Sequence, residues 1–145
     1  MIVSGQKFLI WNSKLFIVEI ERLHHIAIIC SDYALSKQFY TEILNLTIVR
    51  EVYREDRDSY KLDLALNGQY IIELFSFPTP PSRATGPEAT GLRHLAFGVK
   101  DIVKEVDALN TSGILAEPIR VDEFTGKRFT FFRDPDDLPI EIYEL

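Results

Sequence analysis

Apolar and polar residues alternate along this chain in short stretches, and twice the alternation gives way to a helical spacing. Strand-like apolar runs follow His25 and His94, and further strands read at about 47–53, 59–66, 69–76, 115–121, 128–133 and 139–144. Between them, Leu35, Phe39 and Ile43 recur at i, i+4 and i+8 within Tyr33 to Asn45. Ile102, Val106 and Leu109 recur at i, i+4 and i+7 within Ile102 to Asn110, with Gly113 as a stop. Asn67-Gly68, a strong hairpin signal, joins two of the strands, and Asp134-Pro135-Asp136-Asp137 makes the corresponding turn later in the chain.

The order is therefore βαβββ, written twice. His25-Ile-Ala-Ile-Ile-Cys-Ser-Asp32 opens one half and His94-Leu-Ala-Phe-Gly-Val-Lys-Asp101 the other, each Asp placed to accept from free N–H groups at a helix start. Residues 78–91 hold four of the seven prolines and read as a linker. The expected organisation is an N-terminal extension, 1–21, and one domain, 22–145, made of module one (22–77), the linker (78–91) and module two (92–145). One helix covers only one face of a four-stranded sheet, so the other must pack against a partner or enclose something. The predicted class is α+β: two βαβββ modules forming a curved half-barrel sheet with a pocket on its concave face.

The repeat also aligns two carboxylates. Glu73 lies 48 residues after His25, and Glu141 lies 47 after His94. Both glutamates sit in apolar strands, Tyr70-Ile-Ile-Glu-Leu-Phe75 and Pro139-Ile-Glu-Ile-Tyr143. Strand alternation puts His25 with Ala27 and Ile29, and His94 with Ala96 and Gly98, on the side away from the helix. A carboxylate in an apolar strand must be solvated, paired or bound to a cation. Two imidazoles and two carboxylates meeting at one point would hold a divalent ion through nitrogen and oxygen: Zn, Ni, Mn, Co or Fe. His24 falls on the opposite side from His25, has no counterpart in the second half, where Arg93 sits, and reads as structural. Arg128, Thr130 and Phe132 share one strand face, where Arg128 and Phe132 are weaker candidates for substrate contact. Arg54 and Arg57 lie in a charged turn that reads as a solvated loop.

Composition narrows the partners. A net charge of −6 with no basic stripe excludes a nucleic-acid partner. The single cysteine, Cys30, allows no internal disulfide and suits a reducing cytosol. No apolar run approaches the roughly 20 residues that cross a bilayer. Lys14 and Glu19 interrupt the apolar start, which reads as an added strand or arm and not as a signal peptide. The expectation is a cytoplasmic protein acting on a small molecule, with no membrane contact.

At these residues the chain resembles the vicinal oxygen chelate superfamily, and within it the glyoxalase I-like small bacterial proteins. The resemblance covers about residues 22–145 and is carried by His25-Ile-Ala-Ile, Phe39-Tyr-Thr-Glu-Ile-Leu-Asn-Leu46, Tyr70-Ile-Ile-Glu-Leu74, Gly91-Leu-Arg-His-Leu-Ala-Phe97 and Asp134-Pro-Asp-Asp-Leu-Pro-Ile-Glu-Ile142. It implies the paired βαβββ fold of the glyoxalase/bleomycin resistance/dioxygenase group, with Zn or Ni the first choices of ion at His25, Glu73, His94 and Glu141. It further implies a metal-dependent lyase or isomerase acting on an α-hydroxycarbonyl or hemithioacetal, in which the ion chelates two substrate oxygens and a carboxylate moves a proton. Glu141 is the first choice for that carboxylate, with Glu73 as its partner. The four-ligand pattern departs from the ring-cleaving dioxygenases, which use two histidines and one glutamate. An Fe(II) dioxygenase and an antibiotic-type binding protein of the same fold remain the alternatives. A homodimer is expected, with the site formed either within a chain or across the dimer.

Overall fold

The computed structural model describes residues 18–145. Most of the N-terminal extension, residues 1–17, and the expectation of a strand or arm there lie outside the described residues, while residues 18–21 belong to no element. Module one runs β1 (Ile26–Cys30), α1 (Tyr33–Gln38), a π-helical turn (Phe39–Ile43), β2 (Thr47–Arg54), β3 (Ser59–Leu66) and β4 (Gln69–Ser76). Module two runs β5 (Leu95–Val99), α2 (Ile102–Thr111), β6 (Arg120–Val121), β7 (Arg128–Arg133) and β8 (Pro139–Glu144). Each module is one four-stranded sheet, ordered β1-β4-β3-β2 and β5-β8-β7-β6, and neither is closed. The outer strand in each, β1 or β5, runs parallel to the module's last strand; the other neighbours are antiparallel. This is the predicted α+β arrangement of two βαβββ modules.

Local chemistry sets the boundaries. Asp32 accepts from the Leu35 N–H at 3.0 Å and Asp101 from the Lys104 N–H at 3.2 Å, so each helix is capped by the Asp that closes its repeat motif. Asn67 and Gly68 both adopt positive φ, 51° and 79°, the backbone that a two-residue hairpin requires. Two elements differ from the sequence expectation. The first helix changes to π geometry at Phe39, and Asn45, at φ 53°, turns the chain into β2. The strand expected at 115–121 keeps only Arg120 and Val121. Pro118 has no N–H to offer a ladder, and upstream of it the chain is tied by the Glu117 N–H to the Phe131 carbonyl (2.7 Å) and by the Thr130 hydroxyl to the Glu117 carbonyl (2.7 Å).

One core serves both modules. Ile28, Cys30, Leu62, Leu64, Ile72 and Leu74 from the first sheet join Leu95, Phe132, Ile140 and Ile142 from the second, with Phe39, Tyr40, Ile102 and Leu109 from the helices. Because the helix-side faces share this core, the opposite faces turn outward. Ala27, Ile29, Ala96 and Gly98 are exposed, as alternation from the two histidines predicts. One buried polar contact crosses between the modules. The fully buried Tyr40 donates its hydroxyl to the Asp134 carboxylate at 2.8 Å, and that carboxylate also accepts the Leu138 and Asp136 N–H groups at 2.8 and 2.9 Å. Burial raises the Asp134 pKa above the ordinary carboxyl value, and these donors only partly offset it.

Tyr40→Phe leaves a buried carboxylate short of one donor and is expected to cost about 1–3 kcal/mol in urea unfolding at neutral pH. With its folded pKa raised, Asp134 itself favours folding below its unfolded value and loses that contribution as pH rises through the folded one. The Tyr40 hydrogen bond serves the ionised form, so the cost of Tyr40→Phe should shrink on acidification through that range. An unchanged unfolding midpoint at pH 7 would show that the contact contributes nothing.

Candidate functional site

The parallel pairing of first and last strand builds the same local geometry twice. Ala27 pairs with Glu73 in one sheet and Ala96 with Glu141 in the other. The histidine two residues before each alanine points to the same side. His25 Nε2 lies 3.1 Å from Glu73 Oε2, and His94 Nε2 lies 3.1 Å from Glu141 Oε2. Each pair is half-buried on an open face. Within one chain the four residues form two pairs, since no group of three or more His, Cys, Asp or Glu is gathered as an ion requires among the described residues. A recess of about 390 Å³ between the modules is bordered by both histidines and by neither glutamate.

Around Glu73 the face is charged. Lys61 Nζ lies 2.6 Å from Glu73 Oε1 and 3.0 Å from Asp63 Oδ1, and Arg50 holds the other Asp63 oxygen at 2.7 and 2.9 Å. A register shift between Leu64 and Ala65 brings Tyr70 onto this side. Its ring stacks on His25 at 5.2 Å and its hydroxyl reaches Asp63 at 3.3 Å. Burial would raise the Glu73 pKa, but hydrogen bonds from Lys61 and Tyr70 and the charges of Lys61 and His25 outweigh it and hold the carboxyl below its ordinary value. Asp63 is also held low: Arg50 and Lys61 overcome its burial. His24, read as structural on the far side of the strand, instead meets the site. Its Nδ1 lies 2.7 Å from His25 Nδ1, and its ring meets Tyr70 edge-on at 5.3 Å.

Around Glu141 the face is aromatic. Phe131 pairs with Glu141 and Phe129 with Tyr143, the register positions that Asp63 and Lys61 occupy in module one. Phe131 sets its ring edge-on to His94 at 5.2 Å, and the Arg120 guanidinium lies over Phe129 and Phe131 at 5.0 and 5.4 Å. A cup of about 540 Å³ opens here, with Glu141 and His94 in its wall and Arg83 and Glu88 of the linker opposite.

The sequence missed Lys61, Asp63, Tyr70, Phe129 and Phe131. For all but Tyr70 the signal was available: in Lys61-Leu-Asp-Leu64 the polar positions alternate with core leucines, and Phe129 and Phe131 alternate with the Arg128 set. Arg128, Thr130 and Phe132 do share a side, but it is the core side. Phe132 is 2% exposed and Arg128 is bound to Glu144, with Nε at 2.8 Å, so neither faces the cup. Arg54 is not a solvated loop residue either: its guanidinium lies over Phe75 and Phe77 at 4.8 and 5.5 Å and donates to the Ser59 hydroxyl at 2.6 Å. Arg57 is exposed, with Asp56 at 3.8 Å as its partner.

Comparison with known proteins agrees with this architecture. The family model described as the Glyoxalase/Bleomycin resistance protein/Dioxygenase superfamily matches residues 22–142. The chain is 62% identical to the uncharacterized protein YwkD of Bacillus subtilis over 125 residues, covering 86% of this chain and 98% of that protein. The crystal structure of a glyoxalase family protein from Enterococcus faecalis superposes with a TM-score of 0.79 at 48% identity, covering 86% of this chain and 98% of that one. At 19% identity, and so as a likeness of fold alone, FosX, a fosfomycin resistance protein from Listeria monocytogenes solved with Mn(II) and a dihydroxypropylphosphonic acid, superposes at 0.67 over 86% of this chain and 93% of its own. The chain belongs to the glyoxalase/bleomycin resistance protein/dioxygenase superfamily.

Proposed function

We propose that this protein is a metal-dependent, glyoxalase I-like lyase or isomerase acting on a small α-hydroxycarbonyl or hemithioacetal. Its divalent ion is held by His25 and Glu73 of one protomer with His94 and Glu141 of its partner in a homodimer. The carrying observation is the donor spacing. Two ligands about 2.1 Å from one ion lie about 3.0 Å apart at right angles and about 3.4 Å apart at the tetrahedral angle. Both His–Glu pairs stand at 3.1 Å, nitrogen beside carboxylate oxygen. Each pair supplies two neighbouring ligands and lacks two more, and the other pair has the same form. Zn or Ni suits such a set, and Mn, Co and Fe use the same donors; FosX, of the same fold, was solved with Mn(II). The open faces support pairing with a second copy: Ile29, on Glu73's side of the sheet, is 55% exposed, and Val52, opposite Lys61, is 42% exposed.

A bound ion acts as a Lewis acid and makes a C–H beside a chelated oxygen more acidic. The residues then divide the work. Glu141 has His94 as its ion-pair partner and Phe131 as its strand neighbour, which leaves a carboxylate oxygen to accept the substrate proton and return it one atom away. Phe129 and Phe131 give the reacting carbon an apolar wall. His25 and His94 orient through their Nε2 atoms.

Three outcomes follow. Protein purified without chelator should carry about one divalent ion per chain by elemental analysis; metal-free protein that gains no thermal stability from Zn, Ni, Mn or Co would favour a binding protein instead. Glu141→Gln should keep the fold and lower turnover of a hemithioacetal at least tenfold, a barrier rise of about 1.4 kcal/mol or more; full turnover would take Glu141 out of the mechanism. His25→Ala and His94→Ala homodimers should each bind little metal. When unfolded and refolded together, they should recover about a quarter of wild-type metal content, because half of the dimers are mixed and each mixed dimer rebuilds one intact site. No recovery would locate the site within a single chain.

A further inference from the structure

The two glutamates occupy equivalent strand positions but not equivalent surroundings. Glu73 presents Oε2 to His25 at 3.1 Å while Oε1 is held by Lys61 Nζ at 2.6 Å. Lys61 is itself fixed: the same ammonium contacts Asp63 at 3.0 Å, and Asp63, 2% exposed, is clamped from the other side by Arg50 at 2.7 Å. In module two, the register positions of Lys61 and Asp63 are Phe129 and Phe131, which cannot donate to a carboxylate. A carboxylate tied through one oxygen offers an ion only the other. It cannot rotate to chelate through both, and it cannot leave without breaking a charge-assisted hydrogen bond in a partly desolvated place.

We propose that Lys61, braced by Asp63, is a positioning residue that fixes Glu73 as a permanent one-oxygen ligand of the divalent ion, so that the two halves of the site are specialised into an anchored carboxylate and a mobile one. This rests on the metal reading given above. The ammonium sits between two carboxylates, Asp63 at 3.0 Å and Glu73 at 2.6 Å, which offset part of its repulsion toward an ion and leave its orienting effect on the ligand to dominate. Hydrogen bonds to metal ligands of this kind are worth about 10–100-fold in affinity. Without Lys61, Glu73 keeps the neutral Tyr70 hydroxyl and His25 as partners but loses its charged donor, and its Oε1 is held less firmly.

Co²⁺ tests this, since its visible absorption reports both occupancy and coordination. Apo protein, wild type and variant, is titrated with Co²⁺ as dimer, with no substrate present. Lys61→Met should weaken Co²⁺ binding at least tenfold and alter the intensity of the visible band, whereas Lys61→Arg, which keeps a charged donor, should recover at least half of the lost affinity on a logarithmic scale. If Lys61→Met does not fold, as judged by circular dichroism, Lys61→Gln replaces it with the same expectation. Wild-type affinity together with an unchanged band in the uncharged variant would overturn the proposal, and so would a loss in Lys61→Arg as large as in Lys61→Met. Failure of wild-type protein to bind Co²⁺ would be a different result: it would overturn the metal reading, and this inference with it.

Discussion

The site depends on a pairing between strands distant in sequence. In each module the first strand runs parallel beside the last, and the register is the same: Ala27 with Glu73, Ala96 with Glu141. A parallel neighbour cannot be reached by a tight turn, so a crossover must intervene, and here it holds the helix and two further strands. Their length gives the separation of roughly fifty residues between each histidine and its glutamate. A slip of one residue in either pairing would turn the carboxylate into the core and a leucine or isoleucine out to solvent. Ile72 and Leu74 flank Glu73, and Ile140 and Ile142 flank Glu141, all of them buried. Their burial, worth about 1.5–3 kcal/mol for each side chain, is what holds the register. The placement of the two His–Glu pairs is thus fixed by hydrophobic residues on the opposite face of each sheet.

Sharing one core imposes a second constraint. The helix-side faces of both sheets are consumed in joining module to module, with Phe39 against Phe132 and Tyr40 bonded to Asp134 across the junction. The faces bearing His25 and Glu73, and His94 and Glu141, are thereby turned outward. This accounts for the two separate pairs in one chain: the contact that stabilises the chain is also what keeps its halves from closing on each other. A second copy of the chain is the element of matching shape and chemistry that the proposed site calls on.

Much of this was legible in the sequence because it rests on local pattern. The hairpin at Asn67-Gly68, the caps at Asp32 and Asp101, and the equivalence of the two histidine strands follow from turn chemistry and period, and the structure has them in place. The failures are equally physical. The strand expected at 115–121 is cut by Pro118, whose missing N–H outweighs the apolar pattern around it. Arg128 and Phe132 were placed together correctly by alternation, yet which side of a strand faces the core is decided by the neighbouring sheet, which a single strand does not encode. His24 escaped because its contacts, with the His25 ring beside it and with Tyr70 from β4, are side-chain contacts that strand alternation does not report. That the two His–Glu pairs stand apart within one chain was not readable, since that depends on how the two sheets pack, which no single strand encodes.

The repeat explains what the halves share, and the departures from it explain how they differ. A duplicated module starts with identical demands: each carboxylate on an apolar strand needs a partner. Module one meets the demand internally, with Lys61 on Glu73, Asp63 on Lys61 and Arg50 on Asp63, an alternating row of charges that is neutral without any ion. Module two leaves it unmet beyond His94 and surrounds Glu141 with rings, Phe131 beside it and Phe129 under the Arg120 guanidinium. Rings cannot compensate a carboxylate, and they leave Glu141 with His94 as its ion-pair partner among the described residues, in the wall of a cup that Arg83, Arg93 and Arg120 also line. A face that is electrically complete suits holding; a face that is incomplete suits reacting. The equivalence of Glu73 and Glu141 in the repeat is therefore positional only, and their chemistry is assigned by the strand next door.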